Sequence, residues 1–147
     1  MTYNMIKEKF TYLEEVRPEK GDGWFVVPSD KIVEVCKKLR DEFGFDCLSS
    51  LTGVDRGDHI EVVYHLHAYQ KNESVVLKVS TASVVTTVST VWASANWMER
   101  EVFDLFGVKF EGHPDLRRIM LPEDWVGHPL KKDYKEEAEY QGMTTTR

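Results

Sequence analysis

His113 with Asp115 and His128 with Asp133 place an imidazole near a carboxylate twice in one stretch, the spacing a general base and its orienting acid would use. No nucleophile motif accompanies either pair, so both histidines read as loop anchors and no catalytic residue is expected. A stand-alone hydrolase using one of them as base is the alternative left open. His65 and His67 are two apart, so an extended strand puts both on one face, where they offer a metal ion two imidazoles. No third ligand stands near them, and a metal site needs a full ligand set with supporting partners, so none is expected.

The densest charge runs from Glu99 to Arg118. Glu99, Arg100, Glu101 and Asp104 share one short segment, and Asp115, Arg117 and Arg118 follow after a turn. A guanidinium offers a planar fork that fits a carboxylate at two points, so Arg117 and Arg118 are the nearest cations to fasten those acids. Arg100 and Asp104 are four apart and are expected to meet on the helix surface. Such a cluster suits a docking surface better than an active site. Lys131 and Lys132 add a second basic spot beyond Gly127-His128-Pro129, a repeat of Gly112-His113-Pro114. Proline forces the residue before it toward extended geometry, so neither copy predicts regular structure.

A helix must position the first half of this cluster. Asn96 is its expected cap, with Glu99 as reciprocal partner, and Gly107 supplies the left-handed residue that ends it. Met98, Val102, Leu105 and Phe106 fall on one face, which predicts packing on a core. Upstream, Ile6, Phe10 and Leu13 predict an N-terminal helix ending before Pro18, and Trp24 to Val27 a strand. Ile32, Val35, Cys36, Leu39 and Phe43 trace a 3.6 period from a cap at Ser29 or Asp30 to a stop at Gly44. Leu48 to Val54, the alternating run from Ile60 to Ala68, and Val75, Leu77 and Val79 predict antiparallel strands joined by polar turns. Ser80 to Val91 has no clean period and reads as an irregular link.

These elements predict an α+β fold: a two-layer domain with helices packed on a mixed, mostly antiparallel sheet, and an irregular C-terminal extension. Residues 1–111 are the expected core, and residues 112–147 an irregular partner-binding segment of the same domain. From Tyr134 onward, with Tyr140 and Met143 as isolated anchors, the tail is expected to order only against another chain.

Composition narrows the function. The 147 residues carry a net charge of −6 and a pI near 5.4, which argues against nucleic acid as a partner. The two cysteines, Cys36 and Cys47, form no paired motif, which suits reduced thiols and excludes disulfide and zinc-ribbon frameworks. Glycine-rich phosphate loops are absent, and no means of holding a nucleotide or an iron–sulfur cluster is visible. No apolar run approaches the roughly 20 residues of a membrane span, and the N-terminus lacks the order of a secretion signal, so a soluble intracellular protein is expected. Arg56-Gly57-Asp58 and Asn72-Glu73-Ser74 read as turn chemistry.

Glu99-Arg100-Glu101, Asp104, Gly107, Gly112-His113-Pro114-Asp115 and Arg117-Arg118 together resemble the signature of the 30 kDa subunit, or C-type subunit, of proton-pumping NADH:quinone oxidoreductase, respiratory complex I. The resemblance continues through Pro122-Glu123-Asp124-Trp125, Gly127 to Tyr134 and Tyr140-Gln141-Gly142. It implies a peripheral-arm subunit on the cytoplasmic side of the cell inner (plasma) membrane, attached to the membrane only through the complex. It also implies that FMN, iron–sulfur clusters, NADH and quinone belong to other subunits and that this chain binds none of them. The implied partner is chiefly the large 49 kDa-like, or D-type, subunit, beside which this chain supports electron transfer and proton translocation structurally. The signature residues, with His128, Pro129, Lys131 and Lys132, are then the expected interface. Lysine occupies both of the last two positions, where an arginine is common in the family, which keeps the charge and reduces bidentate pairing. Related membrane-bound hydrogenases and other quinone- or ferredoxin-linked dehydrogenases carry a similar module, which is the second expectation.

Overall fold

A computed structural model describes residues 2–145. Its N-terminal helix, α1 (Thr2–Lys9), is shorter than its apolar spacing implies. The Phe10 N–H bonds Ile6 O and the Leu13 N–H bonds Phe10 O, so a tight turn carries both side chains into the core. Beyond it the chain forms β1 (Glu14–Val16), which pairs antiparallel with β2 (Trp24–Val26). A three-residue strand has too little length to show a period, which is why β1 left no trace in the pattern.

The most regular helix is α2 (Ile32–Asp41), whose Ile32, Val35, Cys36 and Leu39 are all fully buried. Its cap is Lys31 rather than Ser29 or Asp30, and no side chain serves it; the Lys31 N–H bonds Pro28 O at 3.0 Å instead. Gly44, at φ 78°, reverses the chain after it. Three nine-residue strands follow as a meander: β3 (Cys47–Asp55), β4 (Ile60–Ala68) and β5 (Glu73–Thr81). Alternate side chains point inward, so Ile60, Val62, Tyr64, Leu66 and Ala68 are buried, as are Val75, Leu77 and Val79. The sheet order is β1-β2-β5-β4-β3, and β2 runs parallel to β5, which makes a mostly antiparallel sheet mixed. Its inner face forms one core with Ile6 of the first helix, Phe10 just beyond it, Leu39 of the second helix and Val102 of the third. This is the α+β architecture that the periodicities predict.

The stretch expected to be an irregular link contains β6 (Val84–Thr86), paired in parallel with β7 (Lys109–Glu111). The partner lies far along the chain, so no local period could reveal it. Between them runs α3 (Ala95–Phe106), the crossover that parallel pairing requires. α3 lies against β3, and the fit is tight at one glycine: a Cβ on Gly53 would sit 2.7 Å from Phe106 Cδ2. Gly53→Ala is therefore expected to lower stability by about 1–3 kcal/mol through overpacking, read as a lower melting temperature that Phe106→Leu in the same chain partly restores.

Between Glu111 and Glu139 the described residues form no helix or strand. Near the end of the described residues the chain pairs with itself. β8 (Glu139–Tyr140) and β9 (Met143–Thr144) make a hairpin whose Gln141 and Gly142 both have positive φ, 48° and 78°, as a two-residue primed turn requires. The Tyr140 ring lies 5.2 Å from that of Trp125, and its hydroxyl donates to Asp124 at 2.7 Å. Among the described residues no helix is long and apolar enough to cross a membrane.

Candidate functional site

α3 organises Glu99, Arg100, Asp104 and Arg118, but not by the expected contacts. Its N-cap is Ser94, which makes no capping bond, and the helix already includes Asn96. Glu99, released from any capping role, turns inward and is fully buried. It accepts the Val88 N–H at 2.7 Å and is bonded to the Thr87 hydroxyl. Burial pushes its carboxyl up to about 7, against the lowering effect of those two bonds. The inward face of α3 is thus shared: Val102 is buried, Met98 and Phe106 pack on the core from its margin, and Glu99, Arg100 and Asp104 fill the rest.

Asp104 is the hub on which the loop beyond β7 is hung. One carboxylate oxygen accepts Arg118 Nη1–H at 2.7 Å. The other accepts the backbone N–H groups of Ile119, Met120 and Leu121 at 3.2, 2.7 and 3.0 Å. Arg118 completes the arrangement by donating from Nη2 to the carbonyls of Trp125 and Gly127 at 3.0 and 2.8 Å. Burial alone raises the Asp104 carboxyl, but the Arg118 guanidinium and the three amides outweigh it and hold it below the usual carboxylate range. The expected Arg100–Asp104 pair does not form, because both groups are turned to different parts of the loop. Arg100 lies under the loop with Nε–H donating to Arg117 O at 3.1 Å and its guanidinium 4.6 Å over the Trp97 ring. Arg117 itself is exposed and pairs with Asp115 at 3.0 Å, so it fastens no buried acid.

The histidines act as the loop anchors the sequence suggested. His113 Nε2 lies 2.9 Å from Asn96 O and Nδ1 accepts the Asp115 N–H at 3.0 Å, which commits both ring nitrogens and fits the Nε2–H tautomer. The Asp115 carboxylate, the supposed dyad partner, is on Arg117 instead. His128 Nδ1–H donates to Asp104 O at 2.9 Å, while Asp133 points to solvent near Lys131. No base–carboxylate dyad is assembled at either place. The His128 ring also closes on Gly107, the αL cap of α3 at φ 75°, where an added Cβ would meet Cδ2 at 2.6 Å. Two further bonds fasten the segment that follows: Leu130 N–H to Leu105 O at 3.0 Å, and Lys132 N–H to Asp55 at 2.8 Å. Asp55 belongs to β3, and nothing in the local sequence marks it as an anchor for a residue 77 positions on.

On the sheet, His65 is exposed and His67 bonds Ser74 at 2.8 Å. No group of three His, Cys, Asp or Glu side chains able to hold a metal occurs among the described residues. Cys36 is buried in the core, and Cys47 is half-buried at the start of β3.

The surface left open to another molecule is mixed. Glu101, Gly112, Pro114, Asp115, Arg117 and Lys132 are exposed, whereas Pro129 and Lys131 are half-buried. Beside them stand apolar side chains that the charge pattern did not single out: Trp97, Met120, Val126 and Leu130, each more than half exposed. Trp97 stands on α3, the Met120 and Leu130 backbones are bonded to it, and the residues on either side of Val126 are bonded to Arg118, so the apolar groups are presented from a fixed support.

Known proteins resemble this chain along most of its length. The family described as the respiratory-chain NADH dehydrogenase 30 kDa subunit matches residues 25–140. The NADH-quinone oxidoreductase C subunit of Geobacter sulfurreducens is 41% identical over 137 residues, covering 88% of this chain and 85% of the relative. The corresponding protein of Moorella thermoacetica is 43% identical over 130 residues, covering 85% and 88%. The NADH-quinone oxidoreductase C/D subunit of Phocaeicola vulgatus is 42% identical over 123 residues, which are 80% of this chain and 24% of that longer relative. Among solved structures, a chain of the membrane-bound sulfane sulfur reductase, an archaeal respiratory membrane complex, superposes with a TM-score of 0.79 at 28% identity, covering 91% of this chain and 84% of that one.

Proposed function

We propose, from the premise that this chain belongs to the family of the respiratory-chain NADH dehydrogenase 30 kDa subunit, that it is the C-type subunit of an NADH-quinone oxidoreductase and serves it as a cofactor-free brace. The complex is the enzyme; this chain supports electron transfer from NADH to quinone, coupled to proton translocation, by holding a neighbour in position. That neighbour is the large D-type subunit. The relative named as a C/D subunit supports this choice, since a single chain there carries both names. FMN, iron–sulfur clusters, NADH and quinone then reside elsewhere in the complex. Iron–sulfur clusters require sets of thiolates, and this chain offers only Cys36, which is buried, and Cys47. Association with the membrane, on its cytoplasmic face, is through the complex.

The observation that carries this reading is the strap of residues 112–132, fastened to α3 by partly buried bonds while Met120, Val126 and Leu130 are exposed. An apolar group held open to water by a rigid support is the arrangement of an interface core, with Asp115, Arg117 and Lys132 as a polar rim. Replacing Met120, Val126 and Leu130 together by glutamate is expected to leave the melting temperature of the isolated chain within a few degrees, because all three are exposed. The same variant is expected to lose copurification with the D-type subunit and at least tenfold of membrane NADH:quinone activity. Normal assembly of the triple variant would remove these residues from the interface.

The likeness to the sulfane sulfur reductase chain favours a second reading, in which the same brace serves a complex with a different electron donor. Membranes from a strain lacking this chain separate the two: the first reading requires loss of NADH-dependent quinone reduction, the second leaves it intact.

A further inference from the structure

We propose that Glu99 is a proton-binding site inside the fold, that it is neutral while the proton is bound, and that releasing the proton makes His113 exchange one partner for another. Glu99 is fully buried on α3; it is bonded to the turn after β6, lies 3.8 Å from His113 of the loop after β7, and is near enough to Cys36 of α2 and Tyr64 of β4 to act on both. The groups from α2, β4 and the turn after β6 include no cation. From α2 comes the Cys36 thiol and from β4 the Tyr64 hydroxyl, both pushed up by burial and, in lesser part, by the Glu99 carboxyl. The Tyr64 hydroxyl is buried without a hydrogen-bond partner. The turn supplies Thr87 and Val88, with Ser89 bonded to Thr87 behind them. On its own helix the adjacent Arg100 is turned away to Arg117 O and Trp97.

Among the described residues, His113 Nε2 alone of the nitrogens of cationic residue types lies within salt-bridge range, at 3.8 Å from Glu99 Oε2. Its proton already goes to Asn96 O, and Nδ1 is occupied by the Asp115 N–H. A carboxylate here would therefore hold a full negative charge in the core on one amide and one hydroxyl, which is too little to offset its lost hydration. Neutral Glu99 meets no such cost. It keeps Oε1 as acceptor for Val88 N–H and donates from Oε2 to Thr87, whose own hydroxyl passes on to Ser89.

Release of the proton reverses that chain, with Ser89 donating to Thr87 and Thr87 to the carboxylate, and leaves the charge short of donors. The nearest donor is His113 Nε2–H, which can reach it by leaving Asn96 O. His113 opens the strap that carries the outward apolar groups, so the protonation state of the core is coupled to the posture of that strap. The linkage has a definite sign. A carboxyl whose pKa is raised by folding stabilises the native state below its unfolded value, and this contribution is lost as pH rises through the folded value. A rise from 4.5 to about 7 corresponds to about a 300-fold fall in the folding equilibrium constant across that window.

The full chain, labelled with ¹³C at glutamate and ¹⁵N at histidine, tests this by NMR between pH 4 and 9. The Glu99 carboxyl carbon is expected to titrate with a midpoint between 6 and 8, and the His113 Nε2 signal to move with the same midpoint. A Glu99 midpoint below 5, or a His113 signal that does not follow it, overturns the proposal. Glu99→Gln imitates the protonated acid, so its stability should lack the decline between pH 4.5 and 7 that the unsubstituted chain shows. An equal decline in both chains also overturns it. Should the glutamine variant fail to fold, the two NMR titrations of the unsubstituted chain decide alone.

Discussion

Asp104→Ala is expected to destabilise the isolated chain by about 3–5 kcal/mol, the cost of removing one partner of a buried, hydrogen-bonded charge pair. The size reflects the work of the carboxylate. It is fully buried, meets Arg118 at 2.7 Å, and accepts three successive backbone N–H groups. Alanine leaves Arg118 without its counter-charge and the amides of Ile119, Met120 and Leu121 without an acceptor. Equilibrium unfolding in denaturant measures the loss, and limited proteolysis of the folded variant is expected to cut between 119 and 127. The carboxyl is depressed in the folded state, so its contribution is present above the unfolded carboxylate pKa and fades as pH falls through the folded value. Acid should therefore bring the unsubstituted chain toward the variant. A change below about 1 kcal/mol would mean that the loop is held by something other than this hub.

Gly107→Ala is expected to cost about 2–5 kcal/mol from two separable sources, a positive φ and a collision with the His128 ring. The ring cannot simply retreat, because Nδ1 is bonded to Asp104 O at 2.9 Å and the Cβ would approach Cδ2 to 2.6 Å. Thermal unfolding of Gly107→Ala alone and combined with His128→Ala divides the total. The double variant should recover the collision and retain the backbone strain of about 1–2 kcal/mol. Equal losses in both would show that the ring is free to move and that His128 does not lock the helix end.

These two positions also mark the boundary between local demands, which a sequence displays, and distant ones, which it hides. Gly107 is legible as a helix stop because a left-handed cap is a local demand on one residue. The meander β3–β4–β5 and helix α2 are legible for a similar reason: each buries one face over nine or ten residues, long enough for a period to emerge. Short elements such as β1 and β6, three residues each, carry no such signal and exist because of the strands they pair with, β2 and β7. The charged cluster stands where the sequence put it and is connected differently. Asp104 and Arg118 are within the expected set, but Glu99 gives up its capping role for Thr87 and Val88, and Arg117 gives up a buried acid for Asp115. Spacing along a helix says which side chains share a face; it does not say which loop will be folded over that face. The outward Trp97, Met120, Val126 and Leu130 escape notice for the complementary reason, since an exposed apolar residue looks in sequence like one that belongs to the core.

The parallel contact of β2 with β5 bears on how the molecule is made. Phe25 and Val26 find their neighbours at Leu77 and Lys78, about fifty residues later in synthesis. A chain emerging from the ribosome can therefore pair β1 with β2 but leaves the other edge of β2 without β5, until the meander has left the exit tunnel and closed. Loop-closure entropy makes that docking a late event, and the fully buried Phe25 spends the interval in water, where a chaperone has its opportunity.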